Sequence, residues 1–233
     1  MKASLVIPCY NEAASLPALL ERCAKVARPG EIEVVLVDNG STDASPAVLQ
    51  ELLPAFPGCR SIRVEKNQGY GFGVLAGLRA AEGRLLGWSH ADLQADPADF
   101  LAGLALFDRY GDDIFVKGSR YGRPIADVAF TVGMSVFETI LLQRRMWDIN
   151  AQPTMFSRRF FATWSNPPAD FSLDLYAYFE ASRTGLPIRR FPVLFGRRAH
   201  GVSHWNVDWR AKAKFIRRTV GFSLQLRRSV RAR

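Results

Sequence analysis

Ile32-Glu33-Val34-Val35-Leu36-Val37-Asp38-Asn39-Gly40-Ser41-Thr42-Asp43 is a mostly aliphatic, β-branched run that stops at a polar turn. A strand covered on both faces of a parallel sheet reads this way, whereas a half-exposed strand alternates. The turn offers helix caps, and a helix through Val48 to Leu53 is expected after it. The same unit recurs in both directions. Upstream, residues 3–8 read as a buried strand ended by Pro8, with Asn11 as cap of a helix through Leu16, Leu19, Leu20 and Cys23. Downstream come a strand at Arg60 to Glu65, a helix opened by Gly69, Gly71, Gly73 and Gly77, and a strand at Leu85 to Trp88. Alternation of this kind implies a doubly wound, mainly parallel α/β sheet in a single domain. Ligands then sit beyond the carboxyl ends of the strands. Three polar clusters fall there: Pro8 to Glu12, Asp38 to Asp43, and His90 to Asp96.

Beyond residue 120 the pattern changes. Ile125 to Leu142 is apolar but carries Asp127 and Glu138, which argues against a bilayer span. A helix is expected near Leu173 to Arg183 and another over Trp209 to Arg228. In the latter Trp209, Ala213, Ile216, Val220 and Leu224 share one face, widened by Phe215, Phe222 and Leu226. Arg210, Lys214, Arg217, Arg218 and Arg228 lie opposite. The division expected is a catalytic domain over 1–206 and a basic amphipathic C-terminal helix over 207–233.

The 233 residues suit one domain with a sizeable core. Met1 to Glu12 lacks the apolar length of a signal peptide, and Cys9, Cys23 and Cys59 read as free thiols of a reducing compartment. The net charge of +9 is unevenly spread. From Arg183 onward fourteen Lys/Arg face one acid, Asp208, a balance of +13, so the rest of the chain is mildly acidic. A basic, amphipathic end suits an anionic lipid surface, although a helix packed on the sheet has the same periodicity. Nucleic acid is not expected, because the tail lacks aromatics at a stacking pitch.

The clusters carry the chemistry. Asp92 and Gln94, two apart at a strand end, offer oxygen ligands to a hard divalent cation, Mn2+ or Mg2+, which would neutralise a diphosphate leaving group. Taken alone Asp92-Leu93-Gln94 reads first as a solvated turn; behind a buried strand and beside two other polar strand ends the metal reading is favoured. Asp38 accepts from base N–H or ribose hydroxyl donors, or caps the next helix with Ser41 and Asp43, and both roles are compatible. The glycine run imitates a dinucleotide loop, but its Gly-x-Gly-x-Gly spacing does not match that fingerprint.

In type, order and spacing, Val6 to Glu12, Val35 to Asp43 and Asn67 to Pro97 resemble the family-2 glycosyltransferases of GT-A fold. Within them the similarity is to polyprenyl-phosphate sugar transferases. The resemblance implies an inverting transfer from a GDP- or UDP-sugar to a polyprenyl phosphate, by a cytoplasmic enzyme peripheral at the inner face of the membrane. It assigns donor contacts to Pro8, Tyr10, Glu12, Asp38, Asn39, Gly69, Ala91 and Ser203. Metal contacts fall to Asp92, Gln94 and His90. Where the family carries an Asp, His90 either ligates a transition metal or replaces a ligand supplied by water. Gly118-Ser119-Arg120-Tyr121 implies that Arg120 meets the acceptor phosphate. Asp148 to Phe156 resembles the acceptor-side segment. Arg197, Arg198, Gly201 and Ser203 resemble a segment closing over the diphosphate, with Arg198 among the catalytic residues and His204 where a lysine is usual. Asp170 and Asp174 are the late acids, read as capping or surface groups rather than as a general base. The alternatives are a sugar or lipid-linked saccharide hydroxyl as acceptor, or a non-catalytic binding module in which His90 marks lost metal chemistry.

Overall fold

The computed structural model describes residues 1–196 and the helix 209–231, with side chains in that helix described from 217 to 228. The elements alternate as β1 (Ala3–Cys9), α1 (Leu16–Ala24), β2 (Ile32–Asn39), α2 (Ser45–Leu52), β3 (Cys59–Val64), α3 (Tyr70–Ala80), β4 (Leu85–Trp88) and α4 (Asp99–Tyr110). Then follow β5 (Phe115–Tyr121), α5 (Ile125–Leu142), β6 (Thr154–Ser157), α6 (Arg158–Phe161), α7 (Leu173–Arg183), β7 (Ile188–Leu194) and α8 (Trp209–Arg231). One seven-stranded sheet has the order β3-β2-β1-β4-β6-β5-β7. Only β6 is reversed, pairing antiparallel with both β4 and β5. The carboxyl ends of β1, β2, β4 and β5 therefore share one edge with the amino end of β6.

The aliphatic run of β2 divides between two cores. Val35 and Val37 join Val6, Val74, Leu78 and Trp88 on one face; Val34 and Leu36 join Leu5, Ile7, Leu16, Leu20 and Phe107 on the other. Successive side chains point to opposite faces, so burial on both demands an unbroken apolar run. Helix α3 lies close to the sheet because Gly77 has no Cβ: one added there would stand 2.3 Å from Val6 Cγ1.

Two expectations are corrected. Asn11 caps no helix, since α1 starts at Leu16; its side chain spans to the next loop instead, Oδ1 accepting from Thr42 N–H at 2.8 Å. In α8, Leu224 is 42% exposed while Ser223 and Leu226 are buried. A polar Ser223 takes the inner position because its hydroxyl donates to Glu138 of α5 at 2.6 Å. That partner also explains a buried carboxylate in an apolar helix. By length and composition α5 could cross a membrane. Its Glu138 side packs on α8, while Ile125, Val128, Phe130, Val136, Phe137 and Ile140 are exposed. All three cysteines are free thiols.

Candidate active site

The loops after β1 and β2 are laced into one rim. Glu12 N–H donates to Ser45 Oγ at 2.9 Å, Asn11 N–H to Ser41 Oγ at 3.1 Å, and Ala13 N–H to Asp43 at 3.2 Å. Tyr10 stands out from this rim, 41% exposed, with Pro8 half-buried behind it. Asp38 is buried at the strand end. Its Oδ1 accepts Ser41 N–H at 2.9 Å, which closes the turn rather than capping α2 as expected, since that helix starts at Ser45; its Oδ2 lies 3.3 Å from Arg63 Nη1 without a hydrogen bond. Asn39 donates from Nδ2 to Gly69 O at 3.0 Å, leaving its buried Oδ1 unpartnered. The glycine run fits beneath the loop 168–170. Gly69 has φ 110°, and a Cβ on it would meet Ala169 O at 2.6 Å.

The turn after β4 carries His90, Ala91, Asp92 and Gln94. Leu93 holds φ 60°, a conformation that costs a branched residue on the order of 1 kcal/mol and recurs where a loop is shaped for function. Asp92 Oδ1 accepts Gln94 N–H at 3.1 Å, closing the turn. Gln94 Nε2 donates to Gly196 O at 3.2 Å, tying the turn to the exit of β7. The His90 ring lies 5.3 Å from Tyr70, which stacks on Phe171 at 4.6 Å. Ala91 is buried. No cluster of three His, Cys, Asp or Glu poised for a metal occurs among the described residues. One carboxylate, one imidazole and an amide suit a cation that keeps water or ligand oxygens better than a resident ion caged by protein.

Across the edge, β5 and the segment before β6 form a second cluster. Asp148, at φ 41°, accepts from Arg120 N–H at 3.0 Å and from Arg120 Nε at 2.9 Å, with Arg120 Nη2 also on its Oδ1. Arg123 Nη2 is 3.7 Å from the same oxygen, and Arg123 Nε is buried without a hydrogen-bond partner. Burial alone would raise the Asp148 carboxyl; the hydrogen bonds and charge of Arg120, with Arg123 behind, hold it below the ordinary range. Two guanidiniums thus converge on the Asp148 carboxylate, and Asp127 of α5 also acts on Arg123.

Between the clusters lies an ion pair that sequence reasoning missed. Lys117 has no exposed surface. Its Nζ donates to Thr154 Oγ1 at 2.6 Å and stands 3.7 Å from Asp174 Oδ1, which also accepts from Gln152 Nε2 at 2.7 Å. Burial pulls the Lys117 ammonium down to about 8 and pushes the Asp174 carboxyl up, while each partner's charge opposes the other's shift. Asp174 is thus a wholly enclosed acid, correcting its reading as a surface or capping group. Its fellow Asp170 closes the turn ahead of α7, accepting Ser172 N–H at 2.8 Å, and pairs with Arg218 at 3.3 Å. Arg198 and Ser203 lie outside the described residues, as do Arg197, Gly201 and His204.

A mainly parallel sheet with β6 reversed, and polar loops gathered at one edge, defines the GT-A class of α/β fold. Solved structures agree. Over 97% of this chain and 80% of the other, the glucosyl-3-phosphoglycerate synthase of Mycobacterium tuberculosis in complex with UDP superposes with TM-score 0.74 at 17% identity. A mannosyltransferase of Pyrobaculum calidifontis, in complex with GDP-Man and Mn2+, does so with TM-score 0.63 at 18% identity over 98% of this chain and 73% of its own. The chain belongs to glycosyl transferase family 2, whose pattern its residues 4–165 match. Among curated relatives, the undecaprenyl-phosphate 4-deoxy-4-formamido-L-arabinose transferase of Serratia proteamaculans is 41% identical over 104 residues, covering 42% of this chain and 31% of that protein. The dodecaprenyl-phosphate galacturonate synthase of Rhizobium johnstonii is 34% identical over 119 residues, covering 50% of this chain and 35% of that protein. The chain therefore spans about a third of the length of the curated relatives it matches.

Proposed function

We propose that the protein moves a sugar from a nucleotide-diphosphate sugar to a polyprenyl phosphate at an anionic membrane surface, inverting the anomeric centre by direct displacement. The observation that carries this reading is the largely buried Arg120–Asp148–Arg123 cluster between β5 and α5, whose outer face is apolar and exposed, on the same sheet edge as the donor loops. Such an arrangement suits a phosphate attached to a hydrocarbon. The state of the late acids favours it too. A hydroxyl acceptor needs a general base; Asp174 is enclosed by Lys117 and Gln152, and Asp170 is engaged with Ser172 and Arg218. A lipid phosphate is already ionised and needs orientation instead.

In this reading the rim of Pro8, Tyr10, Glu12, Asp38 and Asn39 holds the nucleoside. Gly69 and Ala91 keep the floor clear of side chains, and Arg120 and Arg123 orient the attacking phosphate. His90, Asp92 and Gln94 would hold a divalent cation, which supplies charge neutralisation for the departing nucleoside diphosphate. The masses of positive charge on α8, with α5, hold the enzyme at the membrane, and Arg198 and Ser203 close over the diphosphate as the family resemblance implies. The test is a panel of GDP- and UDP-sugars with a short prenyl phosphate, with and without Mn2+. Metal-dependent formation of a prenyl-phosphate sugar is expected. Nucleotide binding without product from any prenyl phosphate removes the acceptor assignment; nucleotide binding indifferent to Mn2+ removes the cation's role.

A further inference from the structure

Where the family pattern has an aspartate, the His90 ring enters an aromatic ladder. Tyr70, the first residue of α3, lies against it with ring centroids 5.3 Å apart and planes tilted by 30°. Phe171 stacks on Tyr70 at 4.6 Å and 5°, and the guanidinium of Arg218 from α8 stands 5.8 Å over the Phe171 ring. The rungs are held in register by the chain. Phe72 N–H donates to Ala169 O at 2.8 Å, and a Cβ on Gly71 would stand 2.5 Å from Asp170 O, so the first turn of α3 and the loop before α7 are in backbone contact. Arg218 Nε pairs with Asp170 at 3.3 Å, one residue before Phe171. The Tyr70 hydroxyl is buried without a hydrogen-bond partner, so what this residue supplies is its ring.

Ring packing occupies a face of the imidazole and leaves its two nitrogens, which lie in the ring plane, for a ligand. A histidine that binds a metal is ordinarily oriented by a hydrogen bond from its second nitrogen. Among the described residues no hydrogen bond reaches either nitrogen of His90. Its orientation therefore has to come from packing, and the ladder supplies it. A freely rotating side chain gives up rotamer freedom when it binds, whereas a ring already held gives up little. We infer that Tyr70 and Phe171 are positioning residues for His90, which they hold as a nitrogen ligand to the cation of the donor turn, so that the site favours Mn2+ over Mg2+. The preference follows from the ligand. Imidazole nitrogen suits transition ions, whereas Mg2+ is a hard ion that seeks oxygen. An aspartate at position 90 would meet both ions with carboxylate oxygen, and the difference between them would shrink.

This inference rests on the cation of the proposed function and is tested apart from it. Binding of UDP and of GDP to the full chain is measured by calorimetry with Mn2+, with Mg2+ and with neither. The Mn2+ complex is also read by pulsed electron paramagnetic resonance, in which a coordinated imidazole gives a nitrogen modulation. Wild type should bind nucleotide more tightly with Mn2+ than with Mg2+ and show the modulation, and His90→Asp should remove both. Phe171→Leu, at an exposed position, and Tyr70→Leu should each weaken Mn2+-dependent binding about ten-fold, with Mg2+-dependent binding changed less. Tyr70→Phe keeps the ring and should behave as wild type. If Tyr70→Leu fails to fold by circular dichroism, Phe171→Leu carries the test. A wild-type Mn2+ complex without nitrogen modulation, or an Mn2+ preference intact in His90→Asp, overturns the ligand role of His90. Phe171→Leu with affinity and modulation unchanged, or weakened equally toward both ions, overturns the ladder. Wild type that binds nucleotide alike with and without either ion removes the cation's role, and this inference with it.

Discussion

Replacing Glu138 with Gln should abolish a specific pH dependence of stability. Glu138 is fully buried between α5 and α8, where Ser223 donates to Oε1 and Oε2 has no partner. Burial outweighs the Ser223 hydrogen bond and pushes the carboxyl from 4.5 to about 7. An acid whose folded value is raised binds its proton more tightly in the folded state. Its contribution is therefore complete below pH 4.5 and is lost as the pH rises through about 7. With each tenfold change in proton affinity worth about 1.4 kcal/mol, the loss amounts to roughly 3 kcal/mol. In a chain of this length that corresponds to a fall in Tm of roughly 6–12 °C. Gln is neutral throughout and can still accept from Ser223. Thermal or urea unfolding of both proteins at pH 5, 6, 7 and 8 gives the test, because other titrating groups cancel in the difference. The two should be nearly equal at pH 5, with the variant ahead by most of the 3 kcal/mol at pH 8. Parallel curves would show that Glu138 ionises freely, and that the α5–α8 contact is looser than the geometry implies.

Asp92→Ala should lower Mn2+-dependent nucleotide affinity by at least about 100-fold without changing the fold, read by calorimetry and circular dichroism; unchanged affinity refutes the cation's position at this turn. For the membrane, deleting α8 is a poor probe, since it strips Ser223 and Leu226 from the helix they bury. Arg217→Gln with Arg228→Gln, both exposed, should instead cut binding to phosphatidylserine vesicles about 5-fold per charge. Equal binding to neutral and anionic vesicles in both proteins would refute the electrostatic role of the helix.

The fold was legible where chemistry is local. An unbroken aliphatic run needs two covered faces, so β1 and β2 could be read at once, and the apolar length of α5 and the boundaries of α7 could be read directly. Helix α4 and the reversal of β6 could not. Four residues, Thr154–Ser157, carry no sign of strand direction, which is fixed by where the chain re-enters the sheet. At the site, the rim and the turn at His90 to Gln94 announced themselves through polar residues directly behind strands. Lys117 and Asp174 did not, for a charge looks solvated in sequence until its partner is known, and these partners lie 57 positions apart by numbering. Asn11 misled for a similar reason: a good capping side chain found a better use in bridging two loops.

The distribution of charge along the edge supplies the last step. The donor side of the sheet carries the carboxylates of Asp38, buried beside Arg63, and of Asp92; on the proposed reading a diphosphate lies there, and a cation between them would relieve the repulsion. On the acceptor side Arg120 and Arg123 face Asp148, with Asp127 of α5 also acting on Arg123. Lys117 and Asp174, a buried ion pair 3.7 Å apart, occupy the boundary. The arginine pair thus gathers in one half of the edge and the two strand-end carboxylates in the other. On the proposed reading this polarity orders the reaction: an ionised acceptor is drawn to the arginines and kept from the carboxylates, and the cation enters with the nucleotide whose charge it must carry away. A neutral hydroxyl acceptor would gain nothing from that gradient.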